Sequence, residues 1–173
     1  DNLLARDFKA NKPYEKLTTD VTQFKVCDEK VYLSPVMDLY NREIVSYSIS
    51  TSPNLWQIRE MLDGLFAKLP ADASPVFHSD QGWQYQHAEY QRLLAEHNIT
   101  QSMSRKGNCM DNGAMENFFG RLKVEMFYGE KFENVNVFID ELKRYIDYYN
   151  YERISMKLKG MSPVQYRTHS VTT

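Results

Sequence analysis

The chain has 173 residues, 42% hydrophobic and 13% aromatic, enough for one domain with its own core and too apolar for a disordered segment. No apolar run approaches the roughly 20 residues of a membrane span, and the first residues carry no secretory leader. Lys and Arg total 21 against 23 acids, a net charge of −2, which argues against a domain that grips nucleic acid by bulk charge alone.

Residues 1–14 show weak periodicity, end in Lys12-Pro13 and read as an arm or linker. With no initiator Met, the chain reads as a segment of a longer protein. Three strands are expected next: one near 17–26 carrying Asp20, one near 30–39, and Ile44 to Ser50. Pro35 interrupts the second and predicts a bulge or a missing ladder bond there. Asn54 to Leu69 has a helical stripe of Leu55, Ile58, Met61, Leu62, Leu65, Phe66 and Leu69. Pro75 to His78 reads as a short buried strand, with Asp80 just beyond its carboxyl end. Gln86 to Glu96 is a helix and Ile99 to Ser102 a short strand.

Ser104 to Met110 is a loop with adjacent bases, Arg105 and Lys106, suited to a phosphate backbone. Asp111 or Asn112 caps a helix running to about Tyr128. On it Glu116, Gly120, Lys123 and Phe127 share a face, and Gly120 leaves room for another backbone. Phe118, Leu122 and Met126 point to the core. Val135 to Asn150 is a strongly amphipathic helix, in which Tyr149 packs while its tyrosine neighbours cover the surface. From Lys143 to Arg167 bases outnumber acids. Ser162-Pro163 opens a last short helix. The core is expected over 15–168, with a tail at 169–173.

Cys27 and Cys109 form no CxxC pair and read as free thiols in a reducing, cytoplasmic compartment. His78, His87, His97 and His169 are too scattered for structural zinc. The order of elements fits an α/β fold, a mixed five-stranded sheet flanked by helices: an antiparallel meander followed by crossover units.

Three acids stand in distinctive surroundings. Asp20 lies in Thr19-Asp20-Val21-Thr22, Asp80 in His78-Ser79-Asp80-Gln81-Gly82, and Glu116 in Asn112-Gly113-Ala114-Met115-Glu116-Asn117-Phe118-Phe119. Thirty-five residues separate the last two acids. Breaking a phosphodiester requires charge on both the attacking and the leaving oxygen, which two Mg²⁺ about 4 Å apart supply in two-metal sites. Mg²⁺ takes hard oxygen ligands and keeps several waters, so a few carboxylates suffice.

With Ser102-Met103-Ser104-Arg105-Lys106-Gly107-Asn108, Tyr149-Asn150, Arg153 and Ser162-Pro163, these pieces resemble the integrase core of bacterial insertion-sequence transposases. The nearest group is the insertion-sequence-three family, similar in fold to retroviral integrases, and the likeness covers about residues 14–168. Leu17 stands where relatives often carry tryptophan, and the family's N-terminal helix-turn-helix region is not among these residues.

The resemblance implies a ribonuclease-H-like fold and a catalytic, metal-holding triad of Asp20, Asp80 and Glu116, with Mg²⁺ or Mn²⁺ as cofactor, two ions in all. It implies DNA, both element ends and target, as the substrate of strand cleavage and strand transfer, and a homo-oligomer assembled on that DNA in a bacterial, nucleoid-associated setting. Lys123, Arg105, Lys106 and Arg121 are the expected DNA contacts. Two alternatives share the fold: a ribonuclease-H-like nuclease that cuts without joining, and a non-catalytic DNA-binding domain.

Overall fold

The computed structural model describes residues 1–5, 7–105 and 112–172, with side chains to 169. Its sheet has six strands: β1 (Lys16–Thr19), β2 (Thr22–Val26), β3 (Glu29–Asp38), β4 (Ile44–Ser50), β5 (Val76–Ser79) and β6 (Thr100–Met103). The expected five become six because the first strand is broken. Both β1 and β2 run antiparallel to β3 in one continuous register, from Leu17 opposite Asp38 to Val26 opposite Glu29. The gap falls at Asp20-Val21, where that register arrives at Ser34 and Pro35. Proline brings no N–H to a ladder, so the pairing lapses beside it. A register shift of β3 against β4 follows at Val36/Met37, the irregularity that Pro35 predicts.

The remaining strands extend the sheet on the β1 side. Pairing of β1 with β5 is parallel, Thr18 opposite His78, and β5 pairs β6 the same way. Two helices connect these strands, α1 (Leu55–Lys68) before β5 and α2 (Ala88–Glu96) before β6. Three more follow: α3 (Gly113–Leu122), α4 (Val135–Tyr151) and α5 (Pro163–Thr172). α5 runs through the boundary expected at 168.

Alternation along β3 sends side chains to opposite faces. Val31, Leu33 and Met37 join Phe24, Phe118, Leu122, Phe138, Leu142 and Ile146 in a core under α3 and α4. Val36 joins Leu17, Phe77, Met61, Leu62 and Leu65 in a second core under α1. Each such side chain, fully buried, contributes roughly 1.5–3 kcal/mol. The Asn54 side chain caps α1 by accepting from the Gln57 N–H, and Asn134 caps α4 in the same way from Val137.

The arm is docked. The Leu3 N–H donates to Ser102 Oγ at 2.9 Å, Leu4 is buried in the core under α3 and α4, and Phe8 meets His78 edge to face. Tyr149 and Asn150 hold the β3–β4 turn. The Tyr149 hydroxyl donates to the Arg42 carbonyl, and Asn150 exchanges two hydrogen bonds with the Ile44 backbone. No helix among the described residues is long and apolar enough to cross a membrane.

Candidate active site

Asp20 and Asp80 both lie just past strand ends. Since β1 and β5 are parallel and Thr18 faces His78, two further residues bring Asp20 alongside Asp80. Neighbouring strands lie about 4.8 Å apart. One Asp20 oxygen accepts from the Val21 N–H at 2.8 Å, and Asp80 Oδ1 accepts from the Gly82 N–H at 2.7 Å. These local bonds fix each carboxylate while leaving further lone pairs open.

Glu116 is in the first turn of α3 and is exposed. What brings that helix to the strand ends is Asn112. It occupies the N-cap position, yet its side chain makes no cap bond. Instead Asn112 Oδ1 accepts from the Thr18 hydroxyl at 2.7 Å and its Nδ2 donates to the Thr19 carbonyl at 3.0 Å. All three residues are buried, so both bonds are shielded from water.

The three acids share one electrostatic neighbourhood. Burial first, then the charges of Asp80 and Glu116, push the Asp20 carboxyl up to about 6 against the opposing Val21 N–H. Tyr85 adjoins them: it is fully buried, and burial first, then Asp20 and Asp80, push its pKa up. Among the described residues no three His, Cys, Asp or Glu side chains are gathered closely enough to hold an ion as they stand. The donor set nonetheless fits a divalent cation: oxygen ligands only, mutually repelling, with one carboxylate desolvated.

The expected DNA contacts fare unevenly. Arg105 is exposed just after β6, and Lys106 lies outside the described residues. Arg121 is exposed on α3, five residues past Glu116. Beyond Lys123 the helix departs from expectation. A π-helical segment, Lys123–Phe127, takes over there and shifts the helical phase. Phe127 turns inward against Phe24 and Phe138, and Lys123 Nζ sits over the Phe24 ring, 5.4 Å from its centre. Lys123 itself keeps the α-helical phase that puts it on the Glu116 face, its N–H bonded to the Phe119 and Gly120 carbonyls, with its ammonium resting over that ring. His78 is a packed strand-end residue, fully buried with Nδ1 2.8 Å from Ser102 Oγ. Sequence reasoning missed the Asn112 clamp and Tyr85. Tyr85 had one visible signal, an aromatic five residues after Asp80.

A mixed sheet with acids at adjoining strand ends and a third on the following helix defines a ribonuclease-H-like α/β core of the integrase type. Solved structures share it. A chain of the simian T-cell lymphotropic virus intasome, solved with the PP2A regulatory subunit B56 gamma, superposes with a TM-score of 0.79 at 17% identity over 92% of this chain and 56% of that one. The HTLV-2 integrase catalytic core, solved with magnesium, gives 0.65 at 15% identity over 90% of this chain and 97% of that one.

Family models described as integrase core domains match residues 10–109 and 116–171. A transposase-like protein of Haemophilus influenzae is 56% identical over 99% of this chain and 79% of its own length. The InsK protein of insertion sequence element IS150 in Escherichia coli is 54% identical over 98% of this chain and 60% of its own length. The chain belongs to the integrase core family, among the insertion-sequence-three transposases. That family is one of DNA transposases acting by polynucleotidyl transfer.

Proposed function

We propose that Asp20, Asp80 and Glu116 are the metal-holding catalytic triad with which this chain cuts DNA at an element end and joins the freed strand to a second site. The observation that carries this reading is geometric: parallel β1 and β5 set Asp20 beside Asp80, and Asn112 ties the head of the helix bearing Glu116 to Thr18 and Thr19, although the three acids span 96 residues of chain. Folding has little reason to collect two further acids around a desolvated carboxylate unless a cation is to join them.

When bound, Mg²⁺ or Mn²⁺, two ions in this reading, would neutralise charge on the attacking and leaving oxygens. Asp20 and Asp80, on adjoining strand ends, would face both ions, and Glu116 would complete one coordination sphere. Water opens a phosphodiester at the element end and frees a 3′-OH. That 3′-OH then attacks a second phosphodiester in line, and the displaced strand leaves with its own 3′-oxygen. No Ser or Tyr nucleophile enters, so Tyr85 serves to line the pocket. Lys123, Arg105, Lys106 and Arg121 hold the backbone, and the chain works as a homo-oligomer on DNA so that two ends react together.

The test compares the native chain with Glu116→Gln, both extended to the full length of the curated relatives. Mn²⁺-dependent nicking of a duplex and strand transfer from a pre-cut 3′-OH end are read side by side. The expected result is both activities in the native protein and neither in the variant. Nicking without transfer would favour the nuclease reading, and an inert native protein would overturn catalysis altogether.

A further inference from the structure

A second feature lies around α3 from the acids. Between α3, the β3–β4 turn and the segment after α4 is a cleft of about 50 Å³, several times the roughly 10–15 Å³ that one water needs. Arg42, Arg121, Arg153 and Lys157 line it. The carboxylate at hand is Glu125, and it is engaged: Arg153 donates to both of its oxygens at 2.6–3.0 Å, and the Tyr145 hydroxyl donates to it as well.

Arg42 is the telling residue. It is held at φ 64 in the turn, its carbonyl accepts from the buried Tyr149 hydroxyl, and it is half-buried. Burial lowers its pKa, opposed only by the Tyr149 hydroxyl, and no carboxylate acts on it. Among the described residues its guanidinium has no ion-pair or hydrogen-bond partner, and neither does the Lys157 ammonium. A desolvated, uncompensated guanidinium costs free energy that an arriving anion would recover. Its planar fork and the neighbouring cations suit one anion best, a phosphate accepting several charge-assisted bonds.

We propose that this cleft seats a backbone phosphate of the DNA strand flanking the one that reacts at Asp20, Asp80 and Glu116. The inference rests on the DNA reading above and adds a second anchoring point to it. Arg121 is five residues beyond Glu116, about 7.5 Å along the helix axis at 1.5 Å per residue. Asn117, the residue after Glu116, lines the same cleft. A strand crossing α3 would thus meet the acids on one side and the cations on the other. Backbone contact of this kind sets register without reading sequence.

The experiment is a scan with short duplexes, each carrying one uncharged methylphosphonate, with affinity for the full chain read by fluorescence anisotropy. The native chain should lose roughly tenfold in affinity at one or two adjacent positions. Arg42→Gln and Lys157→Gln should bind unmodified DNA more weakly by a similar factor, become indifferent to methylphosphonate at those positions, and show a salt slope smaller by about 1. Lys157 is exposed, so its variant keeps the test valid if Arg42→Gln unfolds. If Lys157→Gln retains the native profile position by position, the seat is overturned. The same holds if inorganic phosphate raises the thermal midpoint of the native chain while its profile stays flat, since the site would then take free anions only. If the native chain binds no duplex at all, the DNA reading itself falls, a different failure.

Discussion

Asn112 Nδ2 donates to the Thr19 carbonyl at 3.0 Å, immediately before Asp20, so the helix that carries Glu116 is bolted to the strand that carries the first acid. The same side chain accepts from Thr18. Asn112→Ala would leave a buried hydroxyl and a buried carbonyl unsatisfied, a cost of about 1–3 kcal/mol. The expected outcome is a folded protein with a lowered denaturation midpoint and, well below that midpoint, nicking reduced far more than stability accounts for. Thr18→Val, which removes only one of the two bonds, should fall between. Equal nicking by the native chain and Asn112→Ala would show that Glu116 does not depend on this bolt.

Asp20 gives a pH dependence with a definite sign. Its folded pKa of about 6 is above the unfolded 3.8, so the protonated form is favoured by folding. Its contribution is fully present below pH 3.8 and is lost as pH rises through 6. Asp20→Asn should therefore stabilise the chain at pH 7, by about 1–3 kcal/mol, with the gain vanishing in acid. Added Mg²⁺ should raise the thermal midpoint of the native chain more at pH 7 than at pH 5, because protons compete for Asp20, and should do little for the variant. Calorimetric melts across pH, with and without Mg²⁺, check both halves.

Gly120 offers a test in which stability and binding move in opposite directions. A Cβ there would meet nothing within 4 Å, and the position is in the interior of α3. Gly120→Ala should stabilise the helix by up to about 1 kcal/mol. If DNA approaches this face next to Glu116, the same methyl group should weaken duplex binding. Anisotropy and a denaturant melt on one preparation decide it.

Gly64 in α1 behaves otherwise. A Cβ there would lie 2.4 Å from Ser46 Oγ, which donates to the Met61 carbonyl at 2.7 Å. Gly64→Ala should lose about 1–2 kcal/mol net in urea unfolding despite the better helix propensity. Ser46→Gly in the same chain should recover most of it, visible as a large coupling in the double-mutant cycle.

Where side-chain period governs, the sequence was readable. The α1 stripe and the inward face of α4 follow the helical repeat and form where expected; β4 also forms where expected, but the bulge opposite it sends Val45 to the core under α1, away from Tyr47 and Ile49, with which alternation would group it. The misses are non-local. Asp20-Val21 looks like the middle of a strand, and only Pro35 on the next strand explains the break. Asn112 looks like a cap by residue type, but its partners are 93 and 94 residues away. Phe127 is displaced by a π-helical turn that no local pattern announces, and Phe24, the ring it meets, lies far off along the chain. Of the proposed triad, the strand-end position of Asp80 was anticipated, whereas that of Asp20, expected inside a longer strand, and the device that docks Glu116 were not.

The clamp between Asn112 and the Thr18–Thr19 strand has a consequence for synthesis. A ribosome delivers Asp20 and Asp80 well before Glu116, and the two threonines of β1 wait for Asn112, which emerges just ahead of the helix it anchors. A prematurely terminated product thus lacks the third acid, and a partly denatured one holds it away from the other two. Such a fragment should leave the chromosome of its host uncut.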